Sequence, residues 1–210
     1  VRGRFVTVEG VEGVGKSTNV AFVATTIEAA GHTVRVTREP GGTPLAEAVR
    51  QLLLAPGSRI GPLAELLLVF AARADHLREV IEPALAAGEW VVCDRFTDAS
   101  YAYQGGGRGL PETTIAALEA LVQGPLRPDL TLLLDAPPAV TEDRLRERAP
   151  ADRFELEEGA FFARVRAAYL DRARREPGRI RVVRTDQSLQ AVRRDLADCL
   201  APFLRSVEGT

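Results

Sequence analysis

Residues 10–17 read Gly-Val-Glu-Gly-Val-Gly-Lys-Ser, and no other stretch of the chain restricts the fold so tightly. Three glycines in eight residues free the backbone to turn inward, so that successive N–H groups converge on one point. The apolar, β-branched residues 5–8 before the run predict a buried strand, and from Lys16 a helical stretch runs on to Gly31. A strand that turns through glycines into a helix N-terminus is an anion-binding device, because the free amides and the helix dipole meet there. In that context the spacing G-x-x-x-x-G-K-[ST] is a phosphate cradle built from Gly10, Val11, Glu12, Gly13, Val14 and Gly15, with Lys16, Ser17 and Thr18 opening the helix. Lys16 brings a point charge to the β- and γ-phosphates of a nucleoside triphosphate, and the Ser17 hydroxyl suits Mg²⁺.

The β-then-α order repeats along the chain. Strands are predicted over 33–37, 89–93 (ending at Asp94), 130–134 (ending at Asp135) and 180–184. Helices are predicted over 44–54, 63–87 with Pro83 as a kink, 112–121, 141–148, 158–175 and 189–204. Pro40-Gly41-Gly42 breaks regular structure, residues 56–62 punctuate the chain, and 105–109 reads as a Gly-rich loop. Short apolar strands alternating with helices predict an α/β fold, a five-stranded parallel sheet with helices on both faces. The Arg-rich stretch over 141–155 reads as a small lid on what is otherwise one domain spanning 1–210.

Ligands of such sheets bind beyond the carboxyl ends of the strands, so Glu9-Gly10, Arg38-Glu39, Asp94-Arg95, Asp135 and Thr185-Asp186 are the residues to examine. Arg38 and Arg95 stand at two of those ends and Arg73 lies in the long helix; guanidinium forks there point to a second anionic ligand. Asp94 is favoured as the carboxylate that orients Mg²⁺ or aligns Arg95, with Asp135 as a structural competitor. Arg144, Arg146 and Arg148, followed beyond a proline by Asp152-Arg153, fit a lid that closes over ATP; alternation with Glu142, Asp143 and Glu147 leaves a solvated helix face as the other reading of Arg144 and Arg146, and less so of Arg153. A phosphate monoester acceptor, with its second pKa of about 6, needs no general base. Neither His32 nor His76 is placed to act as one. Net charge is −2, which excludes a general basic field for nucleic acid polymers, and there is no apolar segment long enough for a membrane. Cys93 and Cys199 lie far apart without metal-ligand spacing, and the chain enters its first strand without an export signal, so the expected compartment is the cytoplasm.

Four segments together resemble the thymidylate kinase family: the cradle at 10–17, Thr-Arg-Glu-Pro-Gly-Gly-Thr at 37–43, Phe-Ala-Ala-Arg at 70–73, and Asp94-Arg95-Phe96 running on to Ser100 and Tyr-Gln-Gly-Gly-Gly at 103–107. Pro128-Asp129-Leu130 and Asp152-Arg153 are similar to that family too. The resemblance implies a P-loop NTPase fold and transfer of the ATP γ-phosphoryl group to thymidine 5′-monophosphate, for dTTP synthesis, with Mg²⁺ held by Ser17 and Asp94 and a homodimeric assembly. It places Arg38, Arg73 and Arg95 around the monophosphate and base, Phe70 against the thymine face, Ser100 and Gln104 on the base edge, and Tyr103 where a ribose 2′-hydroxyl would sit. Lys16, Asp94, Arg95, Glu12 and Arg153 are the implied catalytic groups, with Arg148 beside the ATP. Two departures stand out: Val69 occupies the position four before Arg73 where the family often carries its stacking Phe, and Glu12 replaces the basic residue some members have. The second is similar to the bacterial subtype that supplies its arginines from the lid. A kinase for another nucleoside monophosphate or for a deoxynucleoside, and a nucleotide-binding switch without catalysis, are the alternatives.

Overall fold

A strand whose consecutive residues are all buried must be covered on both faces, because neighbours along it point to opposite sides of the sheet. Phe5–Glu9 (β1) is buried throughout, and Trp90–Asp94 (β3) and Leu130–Asp135 (β4) are buried up to their last residue. Val34–Arg38 (β2) and Ile180–Arg184 (β5), only partly buried, are the edges. The computed structural model describes residues 2–146, 153–154, 157 and 159–205, and among them these five strands pair in parallel in the order β2-β3-β1-β4-β5. Register decides what meets at the carboxyl ends: Val8 and Arg38 both pair with Asp94, and Asp135 pairs with Arg184. Val8, Arg38 and Asp94 therefore lie at one level, with Glu9 one residue beyond.

Lys16–Ala29 (α1) and Leu189–Arg205 (α9) cover one face, their Val20, Val23, Ile27, Val192, Leu196 and Leu200 joining Val6, Val8 and Val92. On the opposite face Phe5, Val91 and Cys93 meet Leu77, Ile81 and Leu85. Pro44–Leu54 (α2) begins where Thr43 Oγ1 accepts the Ala46 N–H at 3.1 Å, an N-cap followed by proline at the first helical position.

Two segments differ from expectation. The continuous helix over 63–87 is instead Pro62–His76 (α3), a π-helical stretch Leu77–Ile81 and Glu82–Ala86 (α4). The proline ring at 83 would strike the carbonyl four residues back, and the wider turn just before it relieves that collision. Residues 105–109 are mostly not a loop: Thr97–Ser100 (α5) passes into a π-helical stretch Tyr101–Gly107 before Glu112–Gln123 (α6). Here glycine serves close packing. A Cβ on Gly107 would lie 2.5 Å from the Phe161 ring, and one on Gly106 would lie 2.6 Å from Ala168 Cβ, so Gly159–Arg175 (α8) can lie against this stretch. Pro138–Arg146 (α7) precedes α8; Arg148, Asp152 and most of the expected lid lie outside the described residues. Among the described residues no helix is long and apolar enough to cross a membrane.

Candidate active site

The phosphate cradle hangs between β1 and α1. Gly15, at φ 89°, precedes α1 with no side chain capping it, so the first amides of the helix remain open to an anion. Glu12, Gly13, Gly15, Lys16 and Ser17 line a cleft, whereas Val11 and Val14 turn into the core and Thr18 is exposed on the first turn of α1. The Lys16 ammonium folds back on the loop, donating to Gly10 O at 3.1 Å and Val11 O at 2.8 Å. Shielding from water, and then the nearby Arg95 charge, pull its pKa down to about 8.

Opposite the loop, β3 ends in Asp94 and the chain turns through Arg95 at φ 68°, a left-handed conformation that costs a non-glycine residue energy. Neighbours hold it there. Arg95 N–H donates to Val8 O at 3.0 Å, the Phe96 N–H donates to Glu9 Oε1 at 2.7 Å, and the Phe96 carbonyl accepts from Arg73 at 3.1 Å. The turn aims the Arg95 guanidinium across the Tyr103 ring, 4.7 Å from its centroid, onto Glu12 Oε1 at 2.8 Å. Tyr103 donates to the other Glu12 oxygen at 2.6 Å. Burial alone would push the Glu12 carboxyl up; Arg95, Lys16 and the Tyr103 hydroxyl outweigh it and hold the group below its ordinary value. Glu9, wholly buried, also accepts from Tyr169 at 2.7 Å; loss of water and then repulsion by Asp98 push it up to about 7. Two buried atoms of this turn, Asp94 Oδ1 and Arg95 Nη1, have no hydrogen-bond partner among the described residues. Such orphaned groups are costly unless a ligand meets them.

The cleft continues toward α2 and α3, lined by Arg38, Arg50, Val69, Arg73, Ser100 and Gln104. Arg73 is buried and uses all three of its nitrogens, donating to Glu39 at 2.7 Å, Ser100 at 3.1 Å and Gln123 at 3.4 Å as well as to the Phe96 carbonyl, four acceptors for five N–H groups. These contacts are what let a guanidinium and a carboxylate sit together out of water. Glu39 is shared with His76, whose Nδ1 lies 3.0 Å away while Nε2 lies 2.7 Å from Thr37 Oγ1; His76 is thus a packing residue. Arg38 stays half exposed, its Nη2 2.9 Å from both Glu47 oxygens. Phe70 does not line the cleft. It lies in a core cluster with Leu66, Tyr101 and Ile115, and it is Val69, one position earlier on α3, that faces the cleft.

Arg153 is docked away from the phosphate cradle: it pairs with the buried Glu65 and donates to Leu53 O at 2.9 Å. The neighbouring Phe154 lines the cleft. Asp135 is bound by Arg166 at 2.6 and 2.8 Å, a structural use. Arg144, with a lid arginine and a solvated helix face as its two readings from sequence, reaches the cradle, with Nη1 3.3 Å from Gly13 O and Nη2 2.8 Å from Thr185 O. Arg50, Glu65 and the supporting role of Glu9 went unread in the sequence. Only Glu9 carried a signal there, as a carboxylate at the end of a fully apolar strand.

One cleft thus joins an anion site made of backbone amides to another made of guanidiniums, the arrangement by which a P-loop kinase brings a phosphoryl donor to a phosphorylated acceptor. The comparisons specify which kinase. The family model described as Thymidylate kinase matches residues 8–196. The thymidylate kinase of Chromohalobacter salexigens is 60% identical over 97% of this chain and 98% of its own, and that of Pseudomonas syringae pv. tomato is 57% identical over 99% of each. The crystal structure of thymidylate kinase from Ehrlichia chaffeensis superposes with a TM-score of 0.76 at 33% identity, covering 96% of this chain and 99% of that one. The chain belongs to the thymidylate kinase family.

Proposed function

We propose the following division of labour for the reaction of this family, phosphorylation of thymidine 5′-monophosphate by ATP. The amides of residues 10–17 and Lys16 hold the β- and γ-phosphates. Arg95, locked in its left-handed turn, and Arg38 take the acceptor phosphate, and Glu12 keeps the Arg95 fork aligned until the phosphate arrives. Arg73, Ser100 and Gln104 meet the base edge, Val69 supplies apolar surface to its face, and Tyr103 occupies the space a ribose 2′-hydroxyl would need. The acceptor phosphate attacks as a dianion, so no side chain removes a proton.

Mg²⁺ suits the residues present: Ser17 and Asp94 line the same cleft, and Asp94 Oδ1 is a buried oxygen without a partner. When bound, it neutralises charge on the β- and γ-phosphoryl oxygens. Arg153 and Arg148 belong to a lid over about 141–155 within one domain; on closure Arg153 leaves Glu65 and stabilises the transferring group, with Arg148 beside the ATP. The chain acts in the cytoplasm as a homodimer, a reading supported by the buried free thiol of Cys93 and by Leu45, Leu52, Leu63 and Leu67, each about half exposed on α2 and α3.

The observation that carries this assignment is the pair of buried atoms without a partner among the described residues, Asp94 Oδ1 and Arg95 Nη1, on two residues that line one cleft with the cradle. Arg95→Ala should raise the KM for thymidine monophosphate and cut kcat, together about 10²–10³-fold, while ATP affinity changes little. Equal loss of both ligands would remove Arg95 from the acceptor site.

A further inference from the structure

Gln104 can present either end of its amide to a ligand, an N–H donor or a carbonyl acceptor. Here its Nε2 donates to Glu65 Oε1 at 2.9 Å, in a buried contact. Glu65 is wholly buried on α3 and does not line the cleft. It is paired with Arg108 and Arg153, so it meets Gln104 as a carboxylate that only accepts. That contact takes one of the two amide hydrogens and fixes which way the amide faces, turning the Gln104 oxygen away from Glu65. Arg73, which lines the same cleft, has donors only.

We propose that Glu65 is a specificity-determining positioning residue: by fixing the Gln104 amide it makes the cleft accept pyrimidines with a hydrogen on N3 and an oxygen on C4, and reject those with the reverse pattern. Thymine offers N3–H to the Gln104 oxygen and its O4 to donors such as Arg73. Cytosine presents a bare N3 to that oxygen, acceptor against acceptor, and an amino group to the donors. Uracil shares thymine's edge and is not discriminated by this device. The inference rests on Gln104 being a base contact, as read above. It gives Glu65 a function separate from lid docking, because the lid arginine uses Oε2 whereas Gln104 uses Oε1.

Glu65→Gln tests this without emptying the site. A neutral amide has one oxygen; with Arg108 and Arg153 drawing that oxygen to themselves, its NH₂ faces Gln104, which can then rotate and turn its own NH₂ toward the base. Calorimetric binding of thymidine and deoxycytidine monophosphates, without ATP, isolates base selection from lid catalysis. The preference for thymine should shrink on the order of tenfold or more in Glu65→Gln. In a Gln104→Ala background the same change should move the preference by less than about twofold, the signature of action through one partner. Parallel weakening of both nucleotides by Glu65→Gln, or an undiminished effect in the Gln104→Ala background, overturns the proposal. A preference untouched by Gln104→Ala alone would instead overturn the base-contact reading beneath it. In the unmutated protein, nuclear Overhauser contacts should place the Gln104 NH₂ protons away from bound thymine; finding them against the base edge refutes the proposal even if the variants fail to fold.

Discussion

Replacing Glu9 with glutamine should make this protein more stable at alkaline pH although it removes a buried, hydrogen-bonded carboxylate. Glu9 is fully buried; loss of water and then the charge of Asp98 push its pKa from 4.5 to about 7, despite donors from Phe96 and Tyr169. Between those pH values the folded chain holds a proton that the unfolded chain has released. Stability on this account is full below about 4.5, declines as pH rises, and has lost its share once pH passes about 7. The interval corresponds to about 3 kcal/mol, a large part of the roughly 5–15 kcal/mol that holds a domain folded. Glutamine keeps an oxygen for the Phe96 N–H and offers an NH₂ to the Tyr169 hydroxyl, which can accept as well as donate. Urea denaturation at pH 5 and pH 8 should show the unmodified chain losing up to about 3 kcal/mol from this group, and Glu9→Gln losing distinctly less. Parallel pH profiles, or a variant less stable at pH 8, would refute the argument.

Lys16→Ala should lower turnover by at least about 10²–10³-fold in a coupled ADP assay, and near-normal turnover would detach the cradle from catalysis. Gly13→Ala combines a residue at φ 78° with a Cβ 2.6 Å from Thr141 O; thermal unfolding should register a loss of about 1–3 kcal/mol, with weakened ATP binding. Arg38→Ala removes an ion pair whose arginine is 53% exposed, so stability should fall by less than about 1 kcal/mol while the KM for the monophosphate rises about tenfold, read from initial rates.

Much of this was legible in the residues because local physics settled it. The run at 10–17 set a strand, a turn and a helix in order, and Pro44 after Thr43 set the start of α2 to the residue. Strand ends were readable because a charged residue closing an apolar run has only the carboxyl edge to go to. What escaped depended on partners distant in sequence. Gly106 and Gly107 looked like a loop until α8, more than fifty residues later, supplied the side chains they approach. Phe70 and Val69 are neighbours on a helix, and which of them faces the cleft is decided by how α3 rolls against Tyr101 and Ile115, not by spacing to Arg73. Glu65 looked like an ordinary acidic residue and Glu9 like no more than a strand-end carboxylate, because their donors come from four other segments.

The central claim, that one cleft joins ATP to a thymidine monophosphate held by Arg38, Arg73 and Arg95, is tested most directly by ADP production from ATP and Mg²⁺ with a panel of nucleoside monophosphates and free thymidine. The account predicts strong turnover with thymidine monophosphate, far weaker turnover with cytosine and purine monophosphates, and none with free thymidine. Turnover with free thymidine alone would contradict the acceptor arginines, and absence of turnover with every acceptor would contradict the kinase.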